Sequence, residues 1–161
     1  TSRLADHLML IEDGKIIGNG PINEMLTRFD LPLSHSGDAI SIFDARVMSR
    51  DTDFNLMHLE FKGGQFIVPD NKLPIESLVR IRVAARDVSI TKKKQTDTSI
   101  LNIFPAVVEE MVPEGDAQVM VRLTLKGVVL LACLTRKSAS SLKLDQGLSV
   151  FIQVKSVAIL S

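Results

Sequence analysis

The sequence has little of several residue types that mark particular protein classes. Its 161 residues include a single cysteine, so no internal disulfide forms, which predicts an intracellular protein. Tryptophan and tyrosine are absent, which leaves few platforms for stacking bases or sugars. No apolar run approaches the roughly 18 residues of a membrane-spanning helix. Nineteen basic and nineteen acidic side chains give no net charge, which argues against a dedicated nucleic-acid binder.

Motifs for nucleotide and metal chemistry are also missing from the sequence. It contains no G-x-x-x-x-G-K-[ST] phosphate loop, and the adjacent glycines Gly63 and Gly64 are predicted to lie in a hairpin turn. Without the backbone N–H groups and the lysine of such a loop, we expect no binding site for nucleotide phosphates and Mg²⁺. The histidines His7, His35 and His58 lack the spacing of zinc ligands. We therefore expect no catalysis by this chain, no required cofactor and no metal site.

The residues that are present have the pattern of a mainly β protein. Apolar and polar residues alternate from Gln118 to Lys126, which predicts a half-buried antiparallel strand with the odd-numbered residues inside. The run from Val128 to Leu134 is apolar throughout, which predicts a strand covered on both faces, with Cys133 as a buried structural residue. Ser149 to Leu160 is predicted as one closing strand, and Ser138 to Lys143 as a short helical turn with a serine cap.

The first thirty residues have a different pattern. His7 to Ile11 and Lys15 to Gly18 are apolar segments on either side of an Asp13-Gly14 turn, which predicts a β-hairpin. Gly20-Pro21 then begins a short helix. A hairpin and one helix bury too little area to be stable alone. We expect this segment to need a further body, and the absence of an initial Met supports a piece of a longer chain.

An internal repeat divides the rest of the chain. Three segments recur in the same order, at offsets that grow along the sequence: Ile42 to Val47 with Ile103 to Val108, Leu59 to Gly63 with Leu123 to Gly127, and Ile81 to Ile90 with Val150 to Ile159. Each unit contains about five short strands, which fits a small OB-like barrel. Units of this size bury little surface alone, so we expect them to pair with each other or with a second chain.

These segments together resemble the ATP-binding subunits of molybdate importers of the ABC class. Leu4 to Pro21 resembles the end of an ABC ATPase domain, and Arg80 to Ser89 is similar to a barrel strand of the accessory domain that follows it. Thr98 to Asn102 and Lys155 to Val157 resemble the molbindin-like (TOBE/MOP) domain, which binds molybdate or tungstate. The order of the segments implies a C-terminal fragment, whose parent subunit would be an ATPase that energises molybdate import.

The resemblance implies a fold class, a domain organisation and a set of partners. Tandem OB-like barrels would follow a hairpin-plus-helix remnant: 1–30 from the ATPase domain, 31–91 the first barrel, 92–97 a linker and 98–161 the second, molbindin-type barrel. The implied partners are a second copy bound through the barrels, the transmembrane permease of the full-length protein and the oxyanion, with no nucleic acid. The implied location is the cytoplasmic face of the inner membrane.

The resemblance also implies an oxyanion site built from hydrogen-bond donors. Molybdate is a tetrahedral dianion whose oxygens only accept, so its site needs hydroxyls, N–H groups and a lysine, with no carboxylate nearby. The implied residues are Ser99, Asn102, Thr135, Ser138, Lys155 and Ser156. Thr135 and Ser138 would come from a neighbouring chain. Many family members have an arginine where Leu101 stands, so this sequence lacks the charged N–H donors that an arginine guanidinium would supply.

Two other functions remain open on the sequence alone. One is a purely structural dimerisation module whose oxyanion site is lost, as Leu101 permits. The other is an OB-type binder of nucleic acid or sugar, which the neutral charge and the missing Trp and Tyr disfavour. The candidate residues could also have purely structural roles. Ser99 would then be a turn hydroxyl, Lys155 an exposed strand lysine, and Ser138 a cap or loop residue.

Overall fold

The chain folds mainly into antiparallel β-strands, as the alternating pattern predicts. The computed structural model describes residues 6–31, 34 and 39–160. Within these residues, two strands form an N-terminal hairpin and ten form two five-stranded sheets. The strands are β1 (His7–Glu12), β2 (Lys15–Pro21), β3 (Ile40–Asp51), β4 (Leu56–Phe61), β5 (Gly64–Pro69), β6 (Leu78–Ala84), β7 (Val88–Thr91), β8 (Asn102–Glu114), β9 (Gln118–Leu125), β10 (Val128–Thr135), β11 (Ser149–Val154) and β12 (Ala158–Leu160). The helices are α1 (Ile22–Thr27) and α2 (Arg136–Ser141).

The two sheets share one topology, in agreement with the internal repeat. The first sheet has the strand order β5-β4-β3-β6-β12, and the second has the order β10-β9-β8-β11-β7. The long strands β3 and β8 shift register at equivalent places, between Val47 and Ser49 and between Val108 and Glu110. Such bulges bend a strand and increase its twist, which lets each small sheet curl around its own core. The predicted fold of tandem OB-like barrels is confirmed.

The closing strand of each sheet comes from the other half of the sequence. β7 pairs with β11 in the second sheet, whereas β12 pairs with β6 in the first. The prediction of one closing strand from Ser149 to Leu160 is therefore wrong, because β11 ends at Val154 and residues 155–157 cross to the other sheet. No glycine, proline, asparagine or aspartate interrupts the sequence from Ser149 to Leu160, so the local pattern does not mark the crossing. The domain boundaries remain a prediction. The exchange of β7 and β12 adds a connection between the two barrels that those boundaries do not include.

One hydrophobic core spans both barrels. It contains buried residues from both sheets, including four phenylalanines. Phe61 and Phe66 come from the first sheet, and their ring centroids lie 5.6 and 5.1 Å from that of Phe104 in the second. Both contacts to Phe104 are edge-on, the arrangement that the charge distribution of aromatic rings favours. The barrels are therefore joined by shared packing as well as by exchanged strands.

The N-terminal hairpin is held to the barrels by α1. The hairpin and the helix form as predicted, and Met25 and Leu26 are buried. The Ile42 N–H donates to Asn23 Oδ1 at 2.7 Å, and Asn23 Nδ2 donates to the Val129 carbonyl at 3.0 Å. One side chain of α1 thus bridges β3 and β10, one strand from each sheet. Leu4 and His35, which the sequence patterns above include, lie outside the described part of the chain.

The second face of β9 is more buried than the sequence pattern predicts. Met120, expected to point outward, is buried in a cluster with Ala39, Ala85 and Leu131. The alternating pattern is wrong at this position because segments from the first half of the chain cover this end of the second sheet. Cys133 is half-buried against the same cluster, and burial raises the pKa of its thiol. Cys133 is thus a packed residue rather than a reactive thiolate.

Candidate functional site

The segment that crosses between the sheets carries two of the predicted oxyanion residues. The Lys155 N–H donates to the Asp87 carbonyl at 2.9 Å, which ties the crossing to a 3₁₀ turn at Ala85–Asp87. The Ser156 hydroxyl donates to Asp87 Oδ2 at 3.2 Å. Both Lys155 and Ser156 are exposed. The crossing therefore presents an ammonium group and a hydroxyl to solvent, with one carboxylate beside the hydroxyl.

Asn102 lies at the start of β8 and connects the two barrels. Its side chain is buried, and it forms two hydrogen bonds with Ile67 of β5. The Ile67 N–H donates to Asn102 Oδ1 at 2.7 Å, and Asn102 Nδ2 donates to the Ile67 carbonyl at 3.0 Å. The other half of the repeat has a counterpart, since the Leu131 N–H donates to the buried Ser41 hydroxyl at 3.0 Å. The amide of Asn102 therefore has a structural role whatever else it binds.

Three of the six predicted residues come together in one open cleft of about 530 Å³. Its lining combines polar residues of the second half with the edge strand of the first half. The lining residues are Ile67, Val68, Pro69, Asn71, Asn102, Lys155, Ser156, Val157 and Ile159. Lys155 is the only charged residue in this set. The cleft thus offers a cation, a hydroxyl and amides, which are the donor groups that an oxyanion requires.

The other three predicted residues lie elsewhere in this chain. Thr135 is the N-cap of α2, and its Oγ1 accepts from the Ser138 N–H at 3.0 Å, so the cap is a threonine and not the predicted serine. Thr135 also donates to the Ser138 hydroxyl at 3.0 Å. Ser99 is exposed and lines neither this cleft nor the one that contains Ser138. That the six residues form one oxyanion site stays a prediction.

Ser138 lines a second cleft, of about 410 Å³, which the sequence analysis did not identify. Lys137, Ser141 and Ser89 contribute its polar wall, and the described residues that line it include no carboxylate. Ser89 reaches this place because β7 joins the second sheet, where Ser89 is paired with Gln153. The local sequence around Ser89 contains no signal for this position. Only the strand exchange places it near α2.

The described part of the chain contains no helix with the length and hydropathy of a membrane span. Its helices α1 and α2 have six residues each. Within the same residues, no group of three or more His, Cys, Asp or Glu side chains is arranged to hold a metal ion.

The family comparisons agree with the earlier resemblance. Residues 98–160 match the TOBE domain model. The chain is 46% identical over 159 residues to the molybdenum import ATP-binding protein ModC of Albidiferax ferrireducens, covering 99% of this chain and 43% of that protein. It is 43% identical over 159 residues to ModC of Aromatoleum aromaticum, covering 99% and 42%. The chain thus spans less than half the length of these relatives.

A solved structure supports the fold independently of these sequences. The cytoplasmic molybdate-binding protein ModG, in a crystal form with molybdate bound, superposes with a TM-score of 0.64 over 74% of this chain and 94% of ModG. The two sequences are 20% identical, so the likeness concerns the fold alone. Residues 98–160 therefore form a TOBE domain, and nearly the whole chain is homologous to a part of the molybdenum import ATP-binding proteins.

Proposed function

We propose that this chain is the accessory part of a molybdate importer's ATP-binding subunit and that its barrels bind molybdate or tungstate. The observation that carries the proposal is the cleft in which Lys155, Ser156 and Asn102 lie together at the junction of the two barrels. The relatives are named for molybdenum import, and the structural neighbour binds molybdate. Both are consistent with an oxyanion in this cleft.

The donor groups of the cleft suit a tetrahedral oxyanion. The Lys155 ammonium supplies a point charge on a flexible stem. The Ser156 hydroxyl can rotate from Asp87 toward a ligand, and Asn102 Nδ2 keeps a second proton beyond the one given to Ile67. The Leu101 side chain is exposed and adds no hydrogen-bond donor, so Lys155 is the one cation of the cleft that would balance the charge of a dianion. We expect a site that distinguishes oxyanions by size more than by charge.

In the full-length protein, binding of the oxyanion in the cleft would couple the rate of transport to the cytoplasmic oxyanion concentration. The parent subunit would be an ATPase bound to the permease on the cytoplasmic face of the inner membrane. Two copies would associate through their barrels, and Thr135 and Ser138 of a second copy would complete each site. A bound anion that bridges two copies would hold the ATPase domains apart from their closed arrangement.

Titration of the chain with molybdate tests the binding proposal. We expect saturable heat by isothermal titration calorimetry, and a loss of at least about tenfold in affinity for Lys155→Ala, because a charge-assisted hydrogen bond disappears. Lys93→Ala is the matched control, since Lys93 is an exposed lysine of the linker segment and lines none of the described clefts. Sulfate is the competing anion, of the same charge and shape but smaller.

Two results would contradict this proposal. Equal heats for molybdate and sulfate would remove the basis for sensing, and an unchanged affinity in Lys155→Ala would place the anion elsewhere. A dimer by sedimentation velocity that ignores molybdate, in a chain that releases no heat, would favour the structural dimerisation module instead. Each of these measurements uses the chain as it is and needs no ATPase domain.

The carboxylate of Asp87 should weaken the same site. It accepts from the Ser156 hydroxyl at 3.2 Å and is therefore close enough to repel a dianion bound to that hydroxyl. Asp87→Asn removes this charge, and the electrostatic gain predicts an affinity for molybdate about three- to tenfold higher. Asp97→Asn, at an exposed linker position, controls for the change in net charge. Calorimetry that finds weaker or equal binding in Asp87→Asn, with the melting temperature unchanged, would exclude Ser156 from the site.

A further inference from the structure

The first barrel contributes one polar residue to the cleft that contains Lys155 and Ser156. Asn71 lies two residues after β5, in the loop that leads to β6, and it lines this cleft. Among the described residues that line the cleft, it is the one polar side chain from the first half of the chain. The residue is exposed, so an ion that enters the open cleft can reach it.

The amide group of Asn71 has donor capacity that the described part of the chain does not use. The Leu73 N–H donates to Asn71 Oδ1 at 3.4 Å. Since a backbone N–H needs an acceptor, this contact assigns the oxygen to the end of the amide that faces Leu73. Nδ2 forms no hydrogen bond with the described residues. Both of its protons can therefore be donated to the oxygens of an anion, which only accept.

Several interactions hold the loop that carries Asn71. Arg50 Nε donates to both carboxylate oxygens of Asp70, at 3.2 and 3.1 Å, and Arg50 also donates to the Leu73 carbonyl. The Lys72 N–H donates to Asp70 Oδ1 at 2.8 Å. The Lys72 N–H and the Arg50 guanidinium lower the pKa of the Asp70 carboxyl, so these interactions persist at neutral pH. A loop held in this way loses little conformational entropy when a ligand binds.

The internal repeat makes Asn71 the counterpart of Thr135. Ile67 of β5 and Leu131 of β10 are equivalent, because the N–H of each donates to a side chain at the start of a long strand of the other sheet. Asn71 lies four residues after Ile67, as Thr135 lies four residues after Leu131. In both places the side-chain oxygen accepts from a backbone N–H of the following turn. Thr135 is a predicted oxyanion residue, and its counterpart lies in the same cleft as Lys155.

We propose that Asn71 donates to the oxyanion in this cleft, so that the bound anion bridges the first barrel and the crossing segment that carries Lys155. This proposal rests on the proposed function, because it concerns the same cleft. It adds a ligand from the same chain, whereas Thr135 and Ser138 would come from a second copy. The cleft of a single chain thus supplies donors from both barrels.

Molybdate titration followed by two-dimensional NMR tests the contact directly. We expect saturable shifts of the side-chain NH2 signals of Asn71, which are identified by their absence in Asn71→Ala. The side-chain signals of Asn19 are the matched control, since Asn19 is exposed on the N-terminal hairpin and lines neither of the two clefts. They should not move. A parallel titration with sodium chloride at equal ionic strength corrects for salt.

Calorimetry of two substitutions measures how much the Asn71 amide contributes to binding. Asn71→Ala removes a neutral donor, so we expect an affinity for molybdate about three- to tenfold lower. Asn71→Asp replaces the donor by a carboxylate that repels a dianion, so we expect a loss of more than about tenfold. Asn19→Asp makes the same change in net charge outside the cleft, and it should leave the affinity within about twofold of the parent chain.

The outcomes separate this assignment from the proposed function. If the parent chain binds molybdate and Lys155→Ala weakens the binding, unchanged NH2 signals of Asn71 would overturn the assignment alone, as would an unchanged affinity in both Asn71 variants. An equal loss in Asn71→Asp and Asn19→Asp would reflect net charge and would also count against it. If the parent chain does not bind molybdate, the proposed function fails together with the role of Asn71. If Asn71→Ala lowers the melting temperature, the NH2 signals of the parent chain decide.

Discussion

Phe66→Ala destabilises the chain by about 3–5 kcal/mol, the range for removing a buried aromatic ring. Phe66 is fully buried. Its ring centroid lies 4.7 Å from that of Phe61 and 5.1 Å from that of Phe104, so the ring contacts residues of both sheets. The space that it leaves cannot close without moving both barrels. Urea unfolding followed by far-UV circular dichroism measures the loss, and we expect a single transition in both proteins.

The chain offers a matched control for this substitution. Phe54 is 75% exposed in the turn between β3 and β4, so Phe54→Ala should change stability by less than about 0.5 kcal/mol. Two resolved transitions for Phe66→Ala would mean that the barrels unfold independently, in spite of the exchanged strands. A loss below about 1 kcal/mol would mean that the phenylalanine cluster contributes little to joining them.

Asn102→Ala has the second-largest expected effect, about 2–4 kcal/mol. The substitution removes two hydrogen bonds of 2.7 and 3.0 Å and leaves both the N–H and the carbonyl of Ile67 without these partners. Backbone groups that lose their partners cost up to about 1–3 kcal/mol each when they are buried, and those of the half-buried Ile67 lie toward the lower end of that range. Thermal or urea unfolding without molybdate measures this structural part of the role of Asn102.

Ser99→Ala controls for this substitution, because Ser99 is exposed three residues earlier in the same segment and should be close to neutral. A stable Asn102→Ala variant that binds molybdate poorly would show that the amide acts mainly as a ligand and that its bonds to Ile67 contribute little. A destabilised variant with unchanged affinity for molybdate would remove Asn102 from the proposed site and leave Lys155 and Ser156.

Much of the fold follows from local patterns in the sequence. The hairpin around Asp13-Gly14 and the strand at Gln118–Leu125 form where turn residues and alternation place them. The recurrence of Ile42 to Val47 at Ile103 to Val108 likewise becomes the equivalent strands β3 and β8. These features depend on a residue and its near neighbours, which the sequence contains in full.

The candidate site was less predictable than the strands. The resemblance named Lys155 and Ser156, and the cleft brings them together with Asn102. It gave no indication that the Asn102 amide is bonded to Ile67, or that Asp87 accepts from Ser156. Both partners are distant in the sequence, and no spacing rule connects them.

The amino-acid sequence by itself determined the short strands, the duplicated unit and the kinship with molybdenum import proteins, because alternation, turns and motifs are read from neighbouring residues. Only the tertiary structure decided that β7 and β12 change sheets, that Asn102 joins the barrels, and that Met120 is buried on the second face of β9. A strand edge or a buried donor takes its partner from whichever segment folding brings beside it, and that segment can be anywhere along the chain.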